Sequence, residues 1–338
     1  MTRALITGAS GFIGHHLVRQ LVAEDHDVTC LVRSTSNRSL LEPSKPRFVI
    51  GDVTDCESIV AAFDDGPFDV VYHLAGLTKA LSAAKLLAVN EAGARNVAEV
   101  CAAQVQPPVL VMLSSLSAVH PARDQVPVDE YSSPQPVSSY GRSKLAGELA
   151  VRPFASRIPI TILRPPIVLG EADPVSVTMY QSIANFGIHF NPCWHDNYFS
   201  VIHAADLATA CVLVGRRGSR LSDDDPAAGI YYPANDQTHS YAQLGRLIGQ
   251  ALGRKGTFVF RIPSPLVWCV AGVNEIFSQV RRHPTIVNWD KAREATAGSW
   301  ICDNAKLKSD TGFQVSASFE DRIDETVRWY REYGWIKR

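Results

Sequence analysis

Tyr140 and Lys144 form the residue pair best suited to acid–base chemistry. They lie four residues apart in Tyr-Gly-Arg-Ser-Lys-Leu-Ala-Gly-Glu-Leu-Ala, a segment that predicts a helix with both side chains on one face. A free tyrosine, with a pKa of about 10, is a poor base at neutral pH, but a neighbouring ammonium favours the phenolate. Tyr140 could then exchange a proton with a hydroxyl or carbonyl group. Taken alone, the pair is equally typical of a helix with one tyrosine and one solvated lysine.

A glycine-rich loop near the start of the chain adds a binding function. Gly8, Gly11 and Gly14 follow the apolar run at residues 4–6, which places a G-x-x-G-x-x-G loop between a predicted strand and a predicted helix. The first glycine permits a tight turn, the second lets the backbone approach phosphates, and the third lets the helix pack on the sheet. Unpaired N–H groups at the start of the helix attract an anion. The loop therefore predicts a dinucleotide site.

A serine-rich segment supplies a third candidate group. Residues 109–113 are continuously apolar, as expected of a buried parallel strand, and Ser114-Ser115-Leu116-Ser117 follows. Ligands and reacting groups gather at the carboxyl ends of such strands. A serine hydroxyl here could hold a reacting oxygen beside Tyr140.

Together these segments resemble the extended short-chain dehydrogenase/reductase family, which includes NAD(P)-dependent epimerases and dehydratases. The resemblance extends over nearly the whole chain. The motifs that carry it are Gly8-Ala9-Ser10-Gly11-Phe12-Ile13-Gly14, Gly51-Asp52, His73-Leu74-Ala75-Gly76, Asn90-Glu91-Ala92-Gly93, Ser114-Ser115, Tyr140-Gly141-Arg142-Ser143-Lys144 and Leu163-Arg164-Pro165-Pro166.

The resemblance implies roles for individual residues. Tyr140 would be the acid/base, Lys144 would lower its pKa and anchor the ribose, and Ser115 would polarise the substrate. A different alignment, on Val119-His120, places Leu116 at the catalytic position and leaves the choice between Ser115 and Ser117 open. The implied cofactor-binding residues are Gly8, Ser10, Gly11, Phe12, Ile13, Gly14, Arg33, Ser34, Asp52, Val53, Leu74, Ala75, Gly76, Asn90, Tyr140, Lys144, Pro165 and Ile167.

The choice of cofactor depends mainly on Arg33. At the end of the second predicted strand, NAD-specific members place an acidic residue that binds the ribose hydroxyls. This chain has Arg33 and Ser34 there, with Arg38 nearby as a second cation. An arginine can bind the 2′-phosphate of NADP with two hydrogen bonds, so the sequence favours NADP. The alternative is an enzyme that uses NAD, in which Arg33 only stacks on the adenine.

Composition narrows the functional class. A chain of 338 residues suggests two domains that share a cleft, and 33 Lys plus Arg against 34 Asp plus Glu give no strong field toward nucleic acid or anionic lipid. The seven cysteines are scattered, with no C-x-x-C pair and no histidine cluster at metal-binding spacing. We therefore expect reduced thiols, no metal and a cytoplasmic location. No apolar stretch approaches the roughly 20 residues of a membrane-spanning helix, and the chain begins with the strand that the loop needs, which argues against a signal peptide.

The predicted fold is α/β, a Rossmann-type doubly wound parallel sheet with a smaller, mostly C-terminal substrate-binding domain. Residues 1–164, plus about 198–217, would bind NAD(P); residues 165–197 and about 229–338 would bind substrate. The segment 199–208 predicts a strand and a helix that return to the first domain. Predicted strands lie at residues 4–7, 28–32, 48–50, 70–73, 109–113 and 160–163, and predicted lid helices lie near 241–252, 266–280 and 319–333.

Departures from the family indicate the substrate. Sugar-nucleotide members place an asparagine after the Arg-Pro strand end and an arginine for the diphosphate before the later strand, whereas this chain has Pro165-Pro166-Ile167 and Tyr198-Phe199-Ser200. Without these fixed cations, a charged diphosphate is a poor fit. The aromatic-rich segment at residues 186–199 favours a flat or aliphatic alcohol or ketone, although such aromatics also occur in protein cores.

The sequence most resembles the 3β-hydroxysteroid dehydrogenase and dihydroflavonol reductase branch, which implies an oxidoreductase acting on a steroid-, flavonoid- or isoprenoid-like molecule. The alternatives are a nucleotide-sugar epimerase with bound NAD and a non-catalytic NADP-binding regulatory protein. Steroid-oxidising relatives have a membrane-contacting helix around residues 265–273. Here a buried lid helix is favoured over peripheral membrane contact, because Asn274 and Glu275 end the apolar run. A homodimer through the helices that start near Ala83 and Tyr140 is also compatible with the family.

Overall fold

The computed structural model describes residues 1–64, 66–285 and 287–337, which fold into alternating strands and helices. The strands are β1 (Arg3–Thr7), β2 (Asp27–Val32), β3 (Arg47–Ile50), β4 (Val70–His73), β5 (Val109–Leu113), β6 (Ile160–Leu163), β7 (Ile167–Leu169), β8 (Ile188–Asn191), β9 (Tyr198–His203), β10 (Ile230–Tyr231), β11 (Thr238–Ser240) and β12 (Phe258–Arg261). The helices are α1 (Phe12–Ala23), α2 (Cys56–Ala62), α3 (Ala83–Asn90), α4 (Ala92–Ala102), α5 (Ser139–Val151), α6 (Val177–Phe186), α7 (Ala204–Arg217), α8 (Tyr241–Ala251), α9 (Ser264–Arg281), α10 (Trp289–Thr296), α11 (Ala305–Thr311) and α12 (Phe319–Glu332).

The central sheet has seven parallel strands in the order β10-β6-β5-β4-β1-β2-β3. The strand order reverses between β1 and β4, the point at which doubly wound sheets bind ligands outside the carboxyl ends of their strands. The predicted Rossmann-type sheet is confirmed. All six predicted strands form, and three of them keep the predicted bounds because continuous apolar runs flanked by polar residues mark buried parallel strands.

Both faces of this sheet are covered by helices. Leu17 of α1, Leu207 of α7 and Leu307 of α11 pack in one buried cluster with residues of the sheet. Val97 of α4 and Val151 of α5 pack in a second cluster on residues of the other face. Burying the sheet on both sides leaves its carboxyl edge as the place where polar groups can meet a ligand.

The remaining strands form two small sheets, one of β11, β9 and β7 and one of β12 and β8. Helices α6, α8 and α12 pack against them around a buried cluster that includes Tyr180, Ile248 and Tyr330. The segment predicted to return to the first domain does so only through α7, because its strand, β9, pairs with β7 and β11 outside the central sheet. The domain boundaries given above remain a prediction.

Helix α9 differs from the expected buried lid helix. Val267 and Ala271 are buried with Ala292 of α10 in a cluster of three buried residues. The outer face of α9 is apolar and exposed, with Ile276 66% and Val280 76% accessible to solvent. The helix itself spans Ser264–Arg281, close to the predicted 266–280, but exposed apolar residues continue beyond Asn274 and Glu275.

Candidate active site

The glycine loop has the geometry of a dinucleotide cradle. Gly8 has a φ of +74°, and a Cβ atom on it would lie 2.6 Å from the Ala75 backbone nitrogen. A Cβ atom on Gly14 would lie 2.2 Å from the Gly8 carbonyl oxygen, so α1 packs on the loop only with glycine there. Helix α1 begins at Phe12, and no side-chain hydrogen bond caps it at Gly11. Uncapped N–H groups beside a close backbone turn fit a pyrophosphate.

Thr7 and His73 fix the two strand ends beside this loop. The Thr7 hydroxyl and His73 Nδ1 are 2.8 Å apart, and the Leu74 amide donates to the Thr7 carbonyl over 3.1 Å. Burial lowers the pKa of His73 to about 3, so its imidazole is neutral at physiological pH. A neutral His73 thus holds the motif His73-Leu74-Ala75-Gly76 beside the end of β1, next to the glycine loop. The sequence did not predict this role for His73.

Asn90 positions the loop after β4. Its Oδ1 accepts from the Leu77 amide over 2.8 Å, and its Nδ2 donates to the Leu77 carbonyl and to Ser143 Oγ, over 2.9 and 2.8 Å. A Cβ atom on Gly76 would lie 3.0 Å from Asn90 Oδ1 and 3.5 Å from Lys144 Nζ. Asn90 therefore ties this loop to α5 and brings it close to Lys144.

The residues expected to contact the adenosine half lie at the ends of β2 and β3. Arg33 and Ser34 are exposed just beyond β2. Asp52 follows β3, and hydrogen bonds from Thr54 together with the charge of Arg33 hold its pKa below the usual range. Val53 is buried under Gly93, where a Cβ atom would lie 2.8 Å from Val53 Cγ2. The structure thus places Arg33 and Asp52 at the same corner of the sheet edge.

Helix α5 carries the acid–base pair. Ser138 caps it by accepting from the Gly141 amide over 2.9 Å. Lys144 is buried, and its ammonium donates to the Leu113 carbonyl at the end of β5 over 2.6 Å. Burial lowers the pKa of Lys144 to about 8, although Glu148 opposes this effect. The lysine is therefore fixed to the sheet edge rather than solvated.

Ser115 lies at the start of a short turn, Leu116–Ala118, that packs on the N-terminal turn of α5. Its hydroxyl accepts from the Ser117 amide over 3.1 Å. A Cβ atom on Gly141 would lie 2.1 Å from the Ser117 carbonyl oxygen, so glycine is needed where the two elements meet. Burial raises the pKa of Tyr140, while Lys291 and a hydrogen-bonding interaction with the Ser115 side chain lower it. The turn that carries Ser115 therefore lies against the start of α5, and the choice between Ser115 and Ser117 stays a prediction.

The other residues predicted to bind the cofactor lie in three further segments. The Pro165 carbonyl accepts from the Leu116 amide over 2.9 Å, which fixes the serine turn to the chain beyond β6. Ile167 is the first residue of β7. Ser10, Phe12 and Ile13 are partly exposed in the glycine loop and the first turn of α1.

A buried ionic network lies beneath α5, and sequence reasoning missed it. Glu148 receives two hydrogen bonds from Arg164, of 3.0 and 2.7 Å, and one from Ser114. Arg164 also donates to Tyr232 Oη over 2.9 Å, and these partners raise its pKa against the effect of burial. Glu148 lies four residues after Lys144, so the same helical spacing that links Tyr140 to Lys144 could have found it.

A cavity of about 500 Å³ opens beside the start of α5. Its walls come from the loop before α3 and from α3, α5, α9 and α10, and include Leu81, Leu86, Ser139, Trp268, Trp289 and Asp290. Trp268 and Trp289 contact each other, with ring centroids 5.3 Å apart. In the segment 186–199, by contrast, Phe186, Phe190 and Trp194 are largely exposed. The aromatic wall of the cavity is therefore formed by a different segment than the sequence suggested.

The described residues contain no group of three or more His, Cys, Asp or Glu side chains arranged to hold a metal ion. Among the same residues, no helix is both long and apolar enough to cross a lipid bilayer.

A Rossmann-type sheet with an uncapped glycine loop after its first strand is typical of a dinucleotide-dependent enzyme. The model of the NAD dependent epimerase/dehydratase family matches residues 4–225, and the chain belongs to that family. It is therefore an NAD(P)-dependent enzyme of the extended short-chain dehydrogenase/reductase type.

Similar proteins differ in their substrates. The chain is 27% identical to a ceramide reductase of Caulobacter vibrioides (98% of this chain and 96% of the relative covered). It is 24% identical to a sterol-4-alpha-carboxylate 3-dehydrogenase of Candida albicans (97% of each covered), and 26% identical to a UDP-glucose 4-epimerase of Yersinia pestis (96% of each covered). Among solved structures, the UDP-glucose 4-epimerase of Thermotoga maritima superimposes with a TM-score of 0.78 at 20% identity, covering 98% of this chain and 99% of the other.

Proposed function

We propose that this enzyme interconverts a secondary alcohol and a ketone in a hydrophobic small molecule of steroid-, flavonoid- or isoprenoid-like character, with NADP(H) as the preferred cofactor. The observation that carries the proposal is the placement of three residues at one end of the sheet: Lys144 is fixed on the Leu113 carbonyl, and Ser115 and Tyr140 lie where the turn after β5 meets the start of α5. Ser139, the neighbour of Tyr140, lines the cavity. Retention of all three residues argues against a non-catalytic regulatory protein. The homodimer and the cytoplasmic location remain predictions.

In the oxidation direction, Tyr140 takes the proton of the substrate hydroxyl, and the carbon–oxygen single bond becomes a carbonyl. A bound nicotinamide cofactor would supply the hydride acceptor in this direction and the hydride donor in the reverse. Ser115 holds the reacting oxygen by a hydrogen bond, and Lys144, fixed on the Leu113 carbonyl, would bind the ribose. Tyr140 gives the proton back to the carbonyl oxygen when the reaction runs in reverse.

The preference for NADP rests on the corner that contains Arg33. An exposed guanidinium just beyond β2 can form two charge-assisted hydrogen bonds to a 2′-phosphate, and the adjacent Ser34 hydroxyl can add a third. A carboxylate that would prefer free ribose hydroxyls is absent from both of these positions.

The hydrophobic substrate class is supported by two of the relatives and by the apolar part of the cavity walls, which Leu81, Leu86, Trp268 and Trp289 provide. The same walls also carry polar side chains, among them Ser139, Glu275, Asn288, Asp290 and Arg293. Ceramide and sterols, which the names of those relatives give as substrates, are both hydrophobic alcohols. The similarity to UDP-glucose 4-epimerases keeps a nucleotide sugar as the competing substrate.

We also propose that α9 rests on a lipid surface. Leu266, Val270, Val273, Phe277 and Val280 recur at helical spacing on its outer face and are all exposed. Arg281 and Arg282 follow at its end, where they can meet anionic head groups. An apolar helix above the cavity would give a membrane-dissolved substrate a short path to the site.

The proposed function is tested by turnover of a substrate panel with wild type and Tyr140→Phe. The panel contains a hydroxysteroid, a flavonoid ketone, a long-chain secondary alcohol and UDP-glucose, each with NAD and NADP. We expect wild type to convert a hydrophobic member, and Tyr140→Phe to lose about 100- to 10,000-fold in turnover, the usual contribution of a positioned acid or base. Cofactor affinity, measured by fluorescence titration, should change little.

Two results would contradict the proposal. Near-normal turnover by Tyr140→Phe would show that another group carries the proton. Conversion of UDP-glucose with no activity on the hydrophobic members would favour the epimerase alternative.

A further inference from the structure

Helix α10 is docked on the first turn of α5 through two carboxylates. Asp290 accepts from the Ser139 and Tyr140 backbone amides over 3.0 and 3.1 Å. Glu294 accepts from the Ser138 hydroxyl over 2.6 Å. The first amides of a helix lack partners within the helix and form its positive end, so carboxylates are well placed there. The docking fixes the backbone of Tyr140 itself.

The same docking places a cation over the Tyr140 side chain. Lys291 Nζ lies 5.2 Å from the centroid of the Tyr140 ring, within cation–π range. It also donates to Glu294 Oε2 over 2.6 Å, so Glu294 holds both the cap residue Ser138 and the lysine. Partial burial lowers the pKa of Lys291, but Glu294, Tyr140 and Asp290 outweigh this effect and raise it above the usual range, so the group is charged.

Lys291 and Lys144 differ in how they act on Tyr140. The ammonium of Lys144 is bound to the Leu113 carbonyl, whereas Lys291 is the charged group that lowers the pKa of Tyr140, and Glu294 raises it. Among the described residues, the ionisable or hydrogen-bonding side chains that face Tyr140 or its amide are Ser115 from the turn after β5 and Asp290, Lys291 and Glu294 of α10. Lys144 is on the same helix, one turn further along.

We propose that Lys291 is a positioning residue for the reaction: held by Glu294 over the ring of Tyr140, its ammonium stabilises the phenolate when α10 is docked on α5. This inference rests on the proposed role of Tyr140 as proton carrier. It assigns α10 a part in the chemistry as well as in covering the site.

The test compares the pH dependence of alcohol oxidation in wild type, Lys291→Met and Lys291→Arg, using the panel member that wild type converts. Turnover should rise with pH as Tyr140 loses its proton. Removing a cation at this distance should move that rise to higher pH by about one unit, because the phenolate loses its partner. Turnover below the rise should fall by about tenfold, with KM and cofactor affinity little changed, and Lys291→Arg should restore most of it.

Lys308→Met is the matched control. Lys308 lies on α11, is exposed to nearly the same degree as Lys291, and is likewise paired with a carboxylate, that of Asp236. Its pH profile should match that of wild type. An unmoved profile in Lys291→Met, or a loss that Lys291→Arg fails to restore, would overturn the inference. If Lys291→Met does not fold, as judged by thermal unfolding, Lys291→Gln takes its place. Activity in Tyr140→Phe would instead overturn the proposed function, so the two failures are distinguishable.

Discussion

The hydroxyl of Tyr140 must change protonation state in a position where burial opposes the charged form. Burial raises the pKa of Tyr140, and a base that acts near neutral pH needs that effect offset. Lys291, above the ring, and Ser115, in the turn after β5, both lower the pKa of Tyr140. A bound oxidised nicotinamide ring would add a further positive charge. At the scale of single residues, the proposed mechanism therefore gives the two lysines separate tasks: Lys144 would anchor the ribose, and Lys291 would stabilise the phenolate.

Arg33 can be tested by reversing its charge. A guanidinium paired with a phosphate contributes about 1.5–3 kcal/mol, so wild type should bind NADP about ten- to a hundredfold more tightly than NAD. Arg33→Asp should repel the 2′-phosphate and supply a carboxylate for the ribose hydroxyls, so that the preference crosses over to NAD. Fluorescence titration of both proteins with both cofactors measures this.

Arg217→Asp, the same charge change at the exposed end of α7, serves as the control and should leave the ratio unaltered. A wild-type preference for NAD would show that Arg33 only stacks on adenine or faces solvent.

At the scale of elements, short-range sequence patterns were sufficient to predict the place of α5 in the site but not that of α10. The four-residue spacing of Tyr140 and Lys144 predicts a shared face, and the apolar runs predict the strands beneath them. Asp290 contacts the amide of Tyr140 across 150 positions, and no spacing in the sequence relates them. The charged residues of α10 are typical of any solvated helix face, and only the path of α9 brings them onto α5.

The exposed apolar face of α9 leads us to expect that the protein binds lipid vesicles. Wild type should float with vesicles that contain phosphatidylglycerol, whereas the double variant Ile276→Glu, Val280→Glu should lose most of that binding. Each large apolar side chain contributes roughly 1.5–3 kcal/mol when removed from water, so partitioning should weaken by at least about tenfold.

Val105→Glu is the matched control, because this valine is fully exposed outside the apolar face of α9 and should leave flotation unchanged. Vesicle binding that is absent in wild type, or equal in the double variant, would show that α9 does not rest on lipid.

At the scale of the whole molecule, several buried ionisable groups couple stability to pH with opposite signs. Burial lowers the pKa of His189 to about 4, below the value of about 6.5 in an unfolded chain. Between these values the unfolded state binds the extra proton, so His189 makes stability fall as pH falls. Burial raises the pKa of Glu130 to about 7. Here the folded state binds the extra proton, so Glu130 makes stability fall as pH rises above the unfolded value of about 4.3.

The two effects overlap between pH 5 and 6 and can be separated by a pair of substitutions. His189→Gln removes a group that favours the unfolded state in acid, so the slope of unfolding free energy against pH should decrease by about 1 kcal/mol per pH unit relative to wild type. Glu130→Gln should increase the same slope by a similar amount, because the opposing group is gone. Urea unfolding at several pH values across this interval measures both slopes. Parallel lines for all three proteins would mean that neither group keeps its shifted pKa in the folded state.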